Sequence, residues 1–273
     1  MISLFIIYSN DRIKPLKITA SLLKQMKGYE KWQKLLITDG KVKNPLDDFN
    51  CIEVPRINNK FCWGRMWDVG VFSSKNDIIW YLDSDRLLPE NYAECIEKNI
   101  KEDSFIFTSH HYQMLTELNE QECKYWTNLS EDDFFKDLNY FGKFRFELKY
   151  KNPINTSGKN VMSGNTAFLK NTYIKLGGVD QWYCGHGAFA DTDFHWKAAK
   201  NNCQFVDLKL KELHYFHNKI ENGKIISKEE YEKMIIENYV YFCKKWDLPK
   251  KLVSNLIKNT SLDDNFIEKV WND

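Results

Sequence analysis

The chain opens on an apolar run, Ile2–Tyr8, with the near-continuous hydrophobicity of a central parallel strand covered on both faces. Polar turn formers follow. Ser9, Asn10 and Asp11 are candidate turn and cap residues, and Pro15 suits a first helical turn. From there to residue 27 leucines and isoleucines recur at helical spacing, which predicts a crossover helix. Apolar runs at residues 35–38 and 51–54 predict a second and a third strand, closed by Asp39-Gly40 and by Pro55. A helix is expected over residues 64–73, and residues 77–82 are the most strand-like run in the chain. Strands alternating with helices predict βαβ units, and so an α/β domain on a mostly parallel, Rossmann-like sheet flanked by helices. Ligands of such sheets collect beyond the carboxyl ends of strands, where Asp39 and Asp83-Ser84-Asp85 both fall.

The pattern loosens over residues 117–157, rich in aromatic and charged residues such as Asp132-Asp133-Phe134-Phe135. This stretch reads as an insertion that shapes a cleft, with a plain hairpin layer as the alternative. Beyond Asn218 the chain becomes lysine-rich and helical, with amphipathic stretches at Lys228–Lys245 and at residues 249–258. The expected organisation is a main domain over residues 1–218 and a small C-terminal helical extension over residues 219–273. A packed cap with solvated lysines is the expected role of that extension; peripheral contact with an anionic membrane or a nucleic acid is the other.

Composition narrows the class. The 273 residues suit one α/β domain with an appendage, and 43% hydrophobic residues suffice for a substantial core. Lysine and arginine number 39 against 38 acidic residues, so no global field draws the chain to nucleic acid. Seven scattered cysteines form no CxxC pair, which argues for reduced thiols and a cytoplasmic protein rather than a zinc site or disulfide framework. The start lacks the basic segment of a signal peptide, and no apolar stretch approaches the ~20 residues that cross a bilayer.

Three clusters carry candidate chemistry. In Leu82-Asp83-Ser84-Asp85 a buried strand delivers two carboxylates, which on an extended backbone project to one side. Mg²⁺ and Mn²⁺ take oxygen ligands and bind through one or two carboxylates plus substrate phosphates. Aspartates also end solvated turns, so the pair alone is weak; the apolar strand leading into it strengthens it. The second cluster runs from Gly177-Gly178-Val179-Asp180 to Gly185-His186-Gly187-Ala188-Phe189-Ala190-Asp191-Thr192-Asp193. Its acidic pair opens a helix, so either aspartate is a helix cap or a general base in a glycine-lined pocket. The third is His214-Tyr215-Phe216-His217, whose spacing suits metal binding on a turn or helix.

In this order the blocks resemble GT-A glycosyltransferases of the β-1,4-galactosyltransferase type, together with polypeptide GalNAc-transferases and chondroitin polymerases. Phe61-Cys62-Trp63-Gly64-Arg65-Met66-Trp67-Asp68-Val69-Gly70 is similar to the helix before the metal strand, with Asp68 where asparagine is usual. Residues 78–89 are similar to the metal motif. Val161-Met162-Ser163-Gly164-Asn165-Thr166-Ala167 resembles the strand beside the donor sugar, and residues 177–194 resemble the signature GGFD…GWGxEDxDL. The resemblance implies a GT-A fold and a Mn²⁺- or Mg²⁺-dependent transfer of a hexose or N-acetylhexosamine from a nucleotide sugar, UDP-linked foremost. It implies that Asp85 and His217 hold the metal, with His214 a possible further ligand. Asp83 then meets the ribose or a metal-bound water, Asp39 the base, and Arg12 and Arg65 the nucleotide. Ser163, Gly164, Asn165, His186, Gly187 and Asp193 belong to the sugar pocket, and Asp191 deprotonates the acceptor, with inversion. Ala190 stands in place of the signature's glutamate and His186 in place of its tryptophan, and Phe189 reads as a one-residue insertion. These departures point to an unusual acceptor: a glycan, lipid-linked glycan, protein or modified nucleobase.

Rival readings are a haloacid-dehalogenase-type phosphatase using Asp83, a nucleotidyltransferase, and a non-catalytic carbohydrate-binding relative. Leu87 stands where the phosphatase motif has threonine or valine, and Ser9-Asn10-Asp11-Arg12 lacks the glycines of a nucleotidyltransferase loop. Ala190 is the residue that favours the non-catalytic reading.

Overall fold

The computed structural model describes residues 1–9, 12–56, 61–108, 110–137, 146–150, 164–185, 189–216, 220–221, 224–257, 260 and 262–272. In chain order the first half runs β1 (Ile2–Tyr8), α1 (Ile13–Leu23), β2 (Gln33–Asp39), β3 (Asn50–Val54), α2 (Trp63–Ser73), β4 (Ile78–Asp83), β5 (Arg86–Leu87), α3 (Tyr92–Asn99), β6 (Ser104–Phe107) and β7 (His110–Met114). The second half runs α4 (Glu120–Asn128), α5 (Glu131–Asp137), β8 (Phe146–Tyr150), β9 (Asn165–Leu169), α6 (Lys170–Lys175), α7 (Ala190–Lys200), β10 (Gln204–Asp207), β11 (Lys211–His214), β12 (Ile220–Glu221), β13 (Lys224–Ile225), α8 (Lys228–Lys245), α9 (Lys251–Ile257) and α10 (Asp264–Asn272).

Seven strands form the main sheet in the order β10-β6-β9-β4-β1-β2-β3. β1 pairs in parallel with both β2 and β4, while β9 inserts antiparallel between β4 and β6. The near-unbroken apolarity of β1 follows from its two covered faces. Phe5 and Ile7 pack with Met66 and Trp67 of α2, Phe194 of α7 and Ile236 and Val240 of α8. Leu4, Ile6 and Tyr8 point the other way, onto Leu16 and Ala20 of α1 and Tyr92 and Ile96 of α3. Gly70 sits where α2 presses closest to the sheet: a Cβ there would lie 2.6 Å from the Phe5 ring.

A second sheet, ordered β5-β11-β7-β8, packs through Leu87, Leu213, Tyr112 and Met114 onto α4 and α5. The C-terminal helices share the main core. Val253 of α9 and Ile267 of α10 join α8 in the cluster that contains Phe5, whereas the Lys228 side chain is 80% exposed. Ser227 and Glu230 fix the start of α8 with a reciprocal capping box. Helix α1 begins differently from its expected caps. Arg12 takes the N-cap position without a side-chain cap bond, and Asn10 and Asp11 lie outside the described residues. All seven cysteines are free thiols. Among the described residues no helix is long and apolar enough to cross a membrane.

Candidate active site

Strand order reverses at β1. The chain continues from β1 to β2 on one side and places β4 on the other, and an open sheet leaves its ligand crevice at such a point. Arg12 follows β1 at this crevice and Asp83 ends β4. The strand stops at Asp83, so Asp83 and Asp85 do not share one extended segment as expected; Ser84 and Asp85 form a turn into β5. The turn nevertheless brings both carboxylates to one guanidinium. Arg86 Nη2 lies 3.7 Å from Asp83 Oδ2, and its Nε lies 3.7 Å from Asp85 Oδ1. Arg12 Nη1 donates to Asp85 Oδ2, and the Asp83 N–H donates to the Gly164 carbonyl at 2.7 Å.

The second sheet supplies the opposite wall. β11 pairs His214 with Arg86 on β5, and it pairs Glu212 with His111 and His214 with Gln113 on β7. Period-two geometry puts Glu212 and His214 on the same face of β11. Arg86 Nη1 donates to Glu212 Oε1 at 2.9 Å and lies 2.8 Å from His111 Nδ1. His111 Nδ1 is itself 2.9 Å from Glu212 Oε1. His214, expected on a turn or helix, ends this strand with Nε2 3.4 Å from Asp85 Oδ1.

Burial, then the Asp85 charge, pushes the Asp83 carboxyl up to about 7 against the pull of Arg86 and of the Tyr81 hydroxyl that donates to it. Burial and the adjacent Arg86 push the His214 imidazole down to about 3, keeping it in the neutral form that ligates metals. Burial works to raise Glu212, but Arg86 and His111 outweigh it and hold the carboxyl below its ordinary value.

Asp85 and His214 thus offer an oxygen and a nitrogen at a separation near the ~3 Å between adjacent ligands of an octahedral Mg²⁺ or Mn²⁺. They fit two positions of such an ion. Among the described residues no group of three His, Cys, Asp or Glu side chains converges as a metal cluster. His217, Ser163, His186 and Gly187 lie outside the described residues.

Other expected site residues are placed as follows. Asp39 ends β2 and is gripped by Arg56, whose Nε donates to Oδ1 at 2.9 Å while Nη2 donates to Oδ2. Arg65 is half-buried in the first turn of α2. Asn165 is buried; its Nδ2 donates to Glu212 Oε2 at 2.9 Å and to the Tyr92 hydroxyl at 2.7 Å, and its Oδ1 accepts from Trp80 Nε1 at 2.8 Å. Asp191 stands in the first turn of α7 and accepts from the Thr192 N–H at 2.7 Å. The Tyr81 phenol is raised by burial, by Asp83 and also by Asp191. Asp193 is fully buried, accepting from Lys245 Nζ at 2.7 Å and Trp246 Nε1 at 2.6 Å. Lys245 Nζ also donates to Asp180 at 2.7 Å, so α8 clasps the chain before and after Asp191.

Sequence reasoning missed Arg86, Glu212 and His111. The available signal was Arg86 directly after the acidic pair and Glu212 two residues before His214 on a strand.

A scan of protein-family models gives no match, and neither does a sequence search of curated proteins. Solved structures do match. GalNAc-T7 with UDP, GalNAc and Mn²⁺ superposes with a TM-score of 0.56 at 12% identity, over 90% of this chain and 49% of that one. The mannosyltransferase PcManGT from Pyrobaculum calidifontis, in complex with GDP-Man and Mn²⁺, gives 0.52 at 10% identity, over 98% and 67%. S. aureus TarS 1–349 in complex with UDP-GlcNAc gives 0.50 at 10% identity, over 98% and 70%. Likeness at such identities is a likeness of fold, and the mixed α/β chain with its mostly parallel seven-stranded sheet has the GT-A fold of these glycosyltransferases.

Proposed function

We propose that this chain is a divalent-metal-dependent glycosyltransferase. It moves a hexose or N-acetylhexosamine from a nucleotide sugar, foremost a UDP-sugar, to an acceptor hydroxyl with inversion. The observation that carries the reading is the meeting of Asp83, Asp85, Arg12, Arg86 and His214 at the β1–β4 crevice of a GT-A sheet. The glycosyltransferase structures of like fold that contain UDP, UDP-GlcNAc or GDP-Man support it.

In this reading Asp85 and His214, joined by His217, hold Mn²⁺ or Mg²⁺. When bound, the ion offsets the charge that grows on the departing diphosphate. Arg12 and Arg86 face the same diphosphate as permanent cations. Asp83 meets the ribose or a metal-bound water, and Asp39 and Arg65 meet the nucleotide. Ser163, Gly164, Asn165, His186 and Gly187 shape the sugar pocket, while Asp193, expected beside them, is buried against Lys245 and Trp246 and holds the start of α7 instead. Asp191 takes the proton of the attacking acceptor hydroxyl, on the face opposite the leaving group, so C1 inverts. Such a base contributes about 10²–10⁴-fold. The acceptor is a glycan, lipid-linked glycan, protein or modified nucleobase, and the free thiols suit a cytoplasmic setting.

The test is incubation with UDP-glucose, UDP-galactose and their N-acetyl counterparts plus Mn²⁺, reading UDP release and the C1 configuration of the product by NMR. Mn²⁺-dependent UDP release is expected from one of them. Release from none, combined with phosphate-ester hydrolysis through a phosphoaspartate on Asp83, would assign the chain to the phosphatases.

A further inference from the structure

Arg86 is held on several sides in the crevice. Its side chain is 6% exposed and is held by Glu212 at 2.9 Å. Glu212 is held in turn by His111 and Asn165, each at 2.9 Å, and Asn165 by Trp80 and Tyr92. Gly164 closes the remaining side: a Cβ there would lie 2.1 Å from Arg86 Nε, so the backbone packs directly on the guanidinium. The group cannot shed its charge, since guanidinium stays protonated in proteins. It therefore stands as a fixed positive charge 3.7 Å from each of the two carboxylates meant for the metal and the nucleotide.

Among the described residues, the carboxylates of Asp83, Asp85 and Glu212 already lie against two guanidiniums, Arg12 and Arg86. A divalent cation alone adds positive charge beside them inside a buried site, where like charges repel strongly. A nucleoside diphosphate arriving with the cation offsets that added charge.

We infer that Arg86 is a resident cation that competes with the divalent metal for the Asp83–Asp85 pair, so that metal and nucleoside diphosphate bind cooperatively. The inference rests on the glycosyltransferase reading above and adds to it a specific determinant of metal affinity. Arg86 is in this sense a positioning residue. It sets the acids' geometry and weakens the site for the metal alone.

The experiment measures Mn²⁺ affinity directly, by the loss of the free-ion EPR signal, on the full chain at neutral pH with and without UDP. The wild type is expected to bind Mn²⁺ at least about tenfold more tightly with UDP present. In R86Q, Mn²⁺ alone should bind roughly tenfold more tightly than in the wild type, and the coupling to UDP should shrink. G164A gives an independent route, because its Cβ displaces the guanidinium while leaving every charge in place; the same direction of change is expected. Wild-type affinity that is equal with and without UDP overturns the inference even if neither variant folds. Unchanged affinity for Mn²⁺ alone in the folded variants also overturns it, while leaving the metal-dependent reading intact. No Mn²⁺ binding to the wild type even with UDP overturns both.

Discussion

The pattern aspartate, one residue, aspartate occurs twice, as Asp83-Ser84-Asp85 after a strand and as Asp191-Thr192-Asp193 at the start of a helix. After β4 the turn brings both carboxylates to the same guanidinium, 3.7 Å from each. On α7 two residues correspond to about 200° of rotation, which sends the two side chains to opposite sides. Asp193 enters the core, against Lys245 and Trp246 of the C-terminal segment. Asp191 stays in the first turn of the helix, where it accepts from the Thr192 N–H and helps to raise the Tyr81 phenol. Identical spacing therefore yields a shared guanidinium in one element and two separate environments in the other.

The sharpest way to test this contrast is to neutralise each member of the helical pair. D191N is expected to lower kcat about 10²–10⁴-fold with an unchanged melting temperature, read from UDP release alongside thermal denaturation. D193A is expected to do the reverse. It leaves the Trp246 N–H without its acceptor and the Lys245 ammonium with Asp180 alone, costing about 3 kcal/mol of stability by denaturant titration. A large catalytic loss in a D193A protein that keeps wild-type stability would break the assignment of roles.

His195, on the same helix, gives a pH handle. It is fully buried, and burial pushes its imidazole down to about 4 from the ordinary 6.5. At neutral pH the folded chain keeps it neutral and the unfolded chain is mostly neutral too, so it contributes little there. As pH falls below about 6.5 the unfolded chain takes a proton that the folded chain refuses until about 4, and stability declines across that window. Between pH 7 and pH 5 the expected loss is about 2 kcal/mol, absent in H195N; equal slopes in the two proteins would contradict it. Smallest in the series is K245M, at about 1 kcal/mol, because this lysine is a quarter exposed and solvent screens its pairing with Asp180 and Asp193.

The legibility of the fold from sequence follows the same logic of local against distant determinants. β1, β2 and β4 are covered on both faces and read as apolar runs, and α8 shows its period within its own 18 residues. The second sheet is invisible by such means. β5 has two residues, and β11, Lys211-Glu212-Leu213-His214, is mostly polar; it exists because β7, about a hundred residues earlier, pairs with it. Glu212, His111 and the anchoring of Arg86 were hidden for that reason. The acidic pair and His214 were legible as residues but not as geometry, since the turn after Asp83 and the strand under His214 are set by those remote pairings. Asp193 read equally well as a cap or a base because Lys245 and Trp246 lie more than fifty residues away in sequence.

The most direct measurement of the central claim is the melting temperature of the wild type and D85N with saturating UDP, with and without Mn²⁺. Binding to the native state alone raises the melting temperature by mass action, about 2.7 kcal/mol at a hundredfold excess over Kd. A rise is expected in the wild type that requires UDP and Mn²⁺ together and is lost in D85N. An equal rise without Mn²⁺, an undiminished rise in D85N, or no rise with UDP, GDP or any other nucleoside diphosphate would contradict a metal-held nucleotide at the end of β4.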